Sequence, residues 1–210
     1  MSEPVGGSGP DVISYTIAFP DLSWGSWTPG HGIDAVAAEL APRLADGAVA
    51  EALVRRSVTA INAESLRKET SLRQAIWVPD HATGEVLAVM DLGIRRFADG
   101  DATPDAHLAR DAKRDFGRRA RVMQYAARRA RLPAGEATIE QFVLRLRGEP
   151  EVQAYLVFLL FPQGAREAVS LVFNTVHLNL LTALAEQARI IAESLTVTLG
   201  EIPGGRPKAR

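Results

Sequence analysis

The chain has 210 residues, of which 47% are hydrophobic and 23% charged, with a formal net charge of −1 and no cysteine. This length is enough for one domain with its own core, and the composition is that of a globular rather than a disordered protein. The lack of cysteine excludes a disulfide scaffold, a thiolate metal site and a cysteine nucleophile.

Both ends of the chain are rich in glycine and proline, and the part between them has ordinary globular composition. We therefore expect one α+β domain over residues 12–199, with flexible extensions at residues 1–11 and 200–210. The first ten residues have neither the basic nor the apolar region of a secretory signal, and no run of 18 apolar residues occurs. These features predict a cytoplasmic protein.

The first half of the chain changes its hydrophobic period twice. The predicted elements are a strand over residues 13–19, a helix over 34–45, a second helix over about 49–66, and a hairpin formed by 72–78 and 85–94. Pro42 is expected to kink or divide the first helix, because proline lacks the amide hydrogen and clashes with the preceding turn. The β-branched residues near Val58 leave an extended conformation open for the second helix.

The second half is dominated by strands. A helix is predicted from Thr103 to Arg119, then three strands over 137–147, 152–161 and 168–175, and an amphipathic helix over 178–195. For residues 121–131, helix propensity favours a helix, whereas the position directly before a turn favours a strand that pairs with residues 137–147. We favour the strand. Short polar turns between neighbouring strands predict an antiparallel meander, so the fold class is α+β, with a single antiparallel sheet and helices packed on it.

The order of these elements resembles that of the PsbP-like superfamily. The resemblance rests on Ile17-Ala-Phe19-Pro20, on Leu132-Pro-Ala-Gly-Glu136 before the meander, and on the strands that begin Gln153-Ala-Tyr155 and Leu171-Val-Phe. This superfamily includes an extrinsic photosystem II protein, a Ran-binding nuclear-transport factor and many small actinobacterial proteins. The resemblance implies an αβα sandwich that serves mainly for protein binding, without an enzymatic site.

Positive charge is concentrated in one segment. Nine basic and two acidic residues lie between Arg110 and Arg131, whereas the rest of the chain has 15 basic and 23 acidic residues. Such asymmetry can mark an anion-binding face, or a solvated face that forms salt bridges with acidic neighbours. The candidate interaction surface consists of Arg114, Arg118, Arg119, Arg121, Arg128 and Arg129. If residues 121–131 form a strand, Arg121, Arg129 and Arg131 share one face and Arg128 lies on the other.

A glycine-rich segment supplies a second candidate. Trp24, Trp27 and His31 lie in a predicted loop that leads into the first helix. The glycine spacing matches neither a P-loop nor a dinucleotide-binding fingerprint. We therefore favour a tight loop with positive φ, in which the tryptophans cover the edge of the sheet, over a phosphate site.

The four histidines give little support for catalysis. They show no metal-ligand spacing, and His81 and His107 are predicted in solvated turns. No serine lies in a nucleophile elbow. We expect no cofactor or metal, although an enzyme would place a polar pocket around His31 or His177.

The sequence therefore predicts a binding module without enzymatic activity whose sheet or arginine-bearing face docks another protein. Leu156, Phe158 and Leu160 alternate with other apolar residues, so both faces of the sheet must be covered, and a second copy of the chain is one candidate for that cover. The alternative is a cytoplasmic protein that binds nucleic acid through the arginine-rich stretch.

Overall fold

The computed structural model describes residues 10–30, 32–68, 71–97, 103–111 and 120–200. In chain order its elements are β1 (Asp11–Thr16), β2 (Trp24–Trp27), α1 (Ile33–Leu44), α2 (Ala48–Lys68), β3 (Ser71–Trp77), β4 (Ala88–Arg96), α3 (Pro104–Asp111), β5 (Ala120–Leu132), β6 (Gly135–Leu146), β7 (Val152–Phe161), β8 (Glu167–Thr175), a 3₁₀ turn (Leu178–Leu180), α4 (Leu181–Ser194) and β9 (Thr196–Gly200). The predicted extensions, apart from residues 10, 11 and 200, lie outside the described ranges. Within those ranges, no helix has the combination of length and apolar content that crossing a bilayer requires.

Seven strands form one antiparallel sheet in the order β2-β3-β4-β8-β7-β6-β5. The predicted meander is β6-β7-β8, and the strand favoured over helix at residues 121–131 is β5, which confirms both predictions. The β5–β6 turn needs a glycine at position 135, where φ is +141° and a Cβ atom would lie 2.5 Å from the Phe161 carbonyl oxygen. This close approach sets the turn against the end of β7.

Helices cover both faces of the sheet. On one face, α4 packs Leu184, Ala188 and Ile191 over a core that includes Phe158 and Phe173. On the other face, α1 and α2 pack on β2 and β3, and α3 lies against β5 and β6. These layers confirm the predicted α+β class with antiparallel strands and packed helices.

The helical segments follow the predicted pattern with one difference. Residues 48–68 are helical, which settles the alternative left open for this segment. Pro42 lies in the last turn of α1 and does not divide the helix, which ends at Leu44. Thr103 caps α3 as predicted, since its hydroxyl accepts a hydrogen bond from the Ala106 amide at 3.2 Å. The predicted continuation of this helix over residues 112–119 lies outside the described ranges.

Two strands were not predicted. β2 lies in the segment predicted as a loop, and β9 pairs with β1 to form a separate two-stranded sheet beside the seven-stranded one. Both strands are short, at four and five residues. β9 lies at the opposite end of the chain from its partner β1, so a local pattern of apolar residues does not reveal the pairing.

Two buried carboxylates and two half-exposed arginines link β1 to the main sheet. The Glu167 carboxylate, which is 1% exposed, accepts hydrogen bonds from the Val12 amide at 3.0 Å and from Arg96 Nε at 2.8 Å. The buried Asp11 pairs with Arg166 at 2.9 Å and with Arg96 at 3.5 Å. Each buried carboxylate is therefore paired, as burial of a charge requires.

We expect Glu167→Ala to lower the free energy of unfolding by about 2 kcal/mol, because the substitution leaves the buried Val12 amide without an acceptor. Arg96 is half exposed and water can solvate it again, so the loss is smaller than for a fully buried ion pair. Urea denaturation measures the change, and hydrogen exchange of residues 11–16 should accelerate. Glu39→Ala on the exposed side of α1 is the matched control, with a change within about 0.5 kcal/mol. An equal effect of the two variants contradicts the prediction.

Candidate protein-docking surface

β5 is an edge strand, and most of its 13 residues are exposed. Among the described residues its strand partner is β6 alone. It carries Arg121, Arg128, Arg129 and Arg131 and no acidic residue. Three other members of the predicted surface, Arg114, Arg118 and Arg119, lie outside the described residues.

The predicted division of these arginines between the two faces of the strand is wrong. A β-bulge at Met123 interrupts the pairing of β5 with β6 and reverses the alternation of side chains on its N-terminal side. Arg121 consequently lies on the same face as Arg128, whereas Arg129 and Arg131 lie on the other face. The expectation assumed an unbroken period of two, which a bulge violates.

The face that carries Arg128 also carries further arginine from β6. Arg121 lies directly opposite Arg145, and Arg128 lies opposite Ile139. Opposed residues of an antiparallel pair project from the same side of the sheet. Three exposed arginines, Arg121, Arg128 and Arg145, therefore border this side of the sheet.

On the same side, a groove of about 630 Å³ separates α4 from β5 and β6. Its floor is mainly apolar: β6 contributes the half-buried Ile139 and Gln141, and β7 contributes Leu156 and Phe158, each 3% exposed. Small residues stand on both walls, Ala126 on β5 and Ala185 on α4. The groove therefore combines an apolar floor with walls that a docked element can approach closely.

The two walls differ in charge. On α4, Arg189 hydrogen-bonds to Glu186 and Glu193, each at 2.6 Å, and these hydrogen bonds raise the pKa of Arg189 and lower that of Glu186. On β5, Arg128 makes no ion pair with any described residue. The positive charge of the β5 wall thus has no partner within the described part of the chain, whereas that of α4 is already compensated.

On the opposite face, the positive charge of Arg129 is partly compensated. Its guanidinium lies 3.2 Å from Asp105 of α3 and 3.6 Å from Glu136 of β6. Both ion pairs are exposed and contribute little to stability. The arginine-rich stretch is therefore two surfaces, one of which already contacts acidic side chains of its own chain.

His107 was predicted in a solvated position and is instead buried. Its Nε2 lies 2.6 Å from a Glu140 oxygen, and the two side chains are 5% and 2% exposed. Phe97 and Phe161 pack against the imidazole ring, with centroids 6.3 and 6.2 Å away. The prediction failed because α3 turns this residue toward the sheet, and a single polar residue in a first helical turn does not show which way it points.

The remaining histidines form no common site in the described residues. His31 lies outside them, and His81 lies in the turn between β3 and β4. His177 follows β8, and its Nε2 is 3.8 Å from Glu85. No group of three acidic or histidine side chains suited to a metal ion occurs in the described part of the chain.

The tryptophans of the predicted loop belong to the core. Trp24 and Trp27 lie in β2, and both are 3% exposed. Trp24 stacks between Phe19 and Trp77, and its indole Nε1 donates to Gln187 at 3.0 Å. The candidate loop is thus an edge strand. The predicted positive φ occurs at Gly32 (+81°), directly before α1.

The groove itself was missed from the sequence. Its α4 wall is formed by Thr182, Ala185, Glu186 and Arg189, which recur at helical spacing. This stripe of small and polar residues borders the apolar stripe of the same helix and was the available signal. It does not show which strands lie opposite.

Comparison with known proteins adds little about identity. No protein-family model matches the chain, and no curated protein matches it. Among solved structures, the chain is similar to LpqN, which is described as involved in cell envelope biogenesis of Mycobacterium tuberculosis, at 15% sequence identity and a TM-score of 0.47. The similarity covers 93% of this chain and 90% of LpqN. Membership of the PsbP-like superfamily stays a prediction.

We expect His107→Leu to lower the free energy of unfolding by about 3 kcal/mol, because it leaves the Glu140 carboxylate buried beside an apolar side chain. The double variant His107→Leu/Glu140→Leu should recover most of this loss, since it replaces the buried pair with apolar packing. Urea denaturation at neutral pH measures both changes. Asp105→Ala, which removes an exposed ion pair and an exposed acidic residue of the first turn of α3, is the control and should change stability by less than about 1 kcal/mol. A double variant no more stable than His107→Leu contradicts this account.

Proposed function

We propose that this chain is a protein-binding module that acts without catalysis, and that it docks its partner at the β5–β6 end of the sheet. One observation carries the proposal: an exposed edge strand with four arginines and no acidic residue borders a groove with an apolar floor. Apolar area gives a protein partner its affinity, and the arginines select a partner of opposite charge.

Nucleic acid is the second candidate, favoured by the positive charge of β5. The arrangement of that charge supports a protein partner better. The arginines are divided between two faces, and Arg129 already contacts two carboxylates. Tyr125 lies on the face opposite Arg128, so it provides no stacking platform beside the groove.

A second copy of the same chain is a poor partner for this surface. Each copy of β5 carries four arginines and no acidic residue, so pairing of two β5 strands brings like charges together in any register. Like charges directly opposite each other destabilise a sheet. The proposed partner is therefore a different protein with an acidic surface.

The wider setting is proposed on the sequence. We infer a member of the PsbP-like superfamily, supported by the order of its elements and by the layers of helix on both sides of an antiparallel sheet. The cytoplasmic location is proposed on the composition of the sequence alone. The proposed activity requires no cofactor, because affinity comes from the surface itself.

The proposal is tested by capture from extracts of the native source with three immobilised proteins. These are the natural chain, Arg121→Glu/Arg128→Glu, and the control Arg43→Glu/Arg56→Glu, which makes the same change in charge on α1 and α2. We expect the natural chain and the control to retain at least one protein in common. The amount of that protein retained by the β5 variant, Arg121→Glu/Arg128→Glu, should be at least ten-fold lower. Quantitative mass spectrometry measures the retained proteins.

Nuclease treatment and heparin chromatography separate the two candidates. A protein partner should be retained after nuclease treatment. If retention disappears with nuclease, and if the natural chain binds heparin with an affinity that collapses as salt rises, the nucleic-acid alternative is correct. Identical sets of proteins on all three columns would refute docking at this surface.

A further inference from the structure

The groove lies over the middle of two neighbouring strands, beside α4. α4 lies over β7 and β8, and the middle of β5 and β6 beside it borders the groove. Two neighbouring strands span about 10 Å, which is close to the diameter of an α-helix with its side chains. A helix laid beside α4 would therefore extend the helical layer on this face of the sheet.

The chemistry of the groove also suits a helix. The half-buried Ile139, with Leu156 and Phe158 below it at 3% exposure, gives the groove an apolar floor on which one apolar stripe of an amphipathic helix would lie. Ala126 and Ala185 on the two walls are small, so a helix can reach the floor without a clash. Packed helices approach to about 8–10 Å when the residues between them are small.

The edge of β5 is poorly suited to the alternative, which is addition of an extended strand. The bulge at Met123 breaks the regular ladder, and four arginines line the strand. Bulges and charged side chains are the devices by which natural sheets prevent pairing at an exposed edge. The groove is therefore a better binding site for a partner than the edge of β5.

Charge indicates which helix would fit. Arg121, Arg128 and Arg145 lie on the groove side of β5 and β6, and none has an ion pair among the described residues. From Arg121 to Arg128 the strand spans roughly 20 Å, which corresponds to a helix of about three to four turns. On α4, Arg189 pairs with both Glu186 and Glu193, so these three side chains together carry a negative charge, and acidic residues of the helix are favoured on the flank that faces β5.

We propose that the groove between α4 and β5–β6 seats an acidic amphipathic helix of the partner protein. Its apolar stripe would lie on Ile139, Leu156 and Phe158, and its acidic flank would follow the arginines of β5. This inference rests on the proposed function, because it names the kind of partner that the same surface binds. The chain's own C-terminal residues 201–210 do not match this description, since they contain three basic residues and one acidic residue.

The probe is a designed, fluorescein-labelled 18-residue peptide that forms an amphipathic helix with one leucine stripe flanked by glutamates. A scrambled peptide of the same composition lacks the stripe, and a third peptide alternates leucine and glutamate to favour an extended strand. Fluorescence anisotropy with the full-length chain measures the affinity of each peptide. We expect the helical peptide to bind at least ten-fold more tightly than either of the others.

Two substitutions in the groove test where the helical peptide lies. Ala126→Trp fills the groove from the exposed strand, and Arg128→Glu reverses the charge of its wall, so each should weaken binding at least ten-fold. The matched controls are Ala63→Trp and Arg56→Glu on the exposed side of α2, which should leave the affinity unchanged. Circular dichroism and thermal melting confirm that every variant folds. If Ala126→Trp does not fold, Arg128→Glu and the scrambled peptide still decide the question.

The inference is overturned if the helical peptide does not bind with the chain at 100-fold excess over the peptide. It is also overturned if the scrambled peptide binds equally well, or if neither groove variant weakens binding of the helical peptide. Tighter binding of the alternating peptide would assign the surface to strand addition. None of these outcomes contradicts the proposed function if the capture experiment still finds a protein that the natural chain retains and the β5 variant does not. A photo-crosslinker at Thr182 in the natural complex should map to an acidic helical segment of that protein.

Discussion

The rest of the structure depends on burial of β7 on both of its faces. Six consecutive residues of this strand, 156–161, are buried, so apolar side chains project from both sides of the sheet. A layer must therefore cover each side. α4 covers the side with Phe158, and Phe97 packs over the side with Leu159 and Phe161. Hydrophobic burial of this strand thus dictates the layered architecture, since it is the dominant favourable term in folding.

The same constraint explains why one end of the sheet stays open. A single helix on the Phe158 side covers about two strands, so the layer that buries β7 leaves the middle of β6 and β5 beside a groove. On the other side, α3 is held against β6 by the buried contact between His107 and Glu140. One side of this end of the sheet is thus covered by α3, and the other carries the groove.

The arginines differ in function according to their partners. Arg96 and Arg166 satisfy buried carboxylates and hold β1 in place, and Arg189 is held by two glutamates of its own helix. Arg128 and Arg145 have no such partner among the described residues. Arginines that already pair with a carboxylate have a structural role, and only those without such a partner enter the proposed docking surface. Sequence alone does not separate the two groups, because pairing is decided by tertiary contacts.

The sequence by itself determined the elements whose signals are local: the β3–β4 hairpin, the meander of β6 to β8, the amphipathic α4, and the α+β class. Their turns and periodic apolar residues lie within a few positions of each other along the chain. Only the tertiary structure decided the β1–β9 pairing, the burial of His107, and the bulge at Met123 that moves Arg121 to the groove side. The first two depend on residues distant in the chain. The bulge depends on a single extra residue, Met123, which no residue type in the sequence marks. The groove belongs to the second group, because its walls come from α4 and β5, which the sequence separates by about fifty residues.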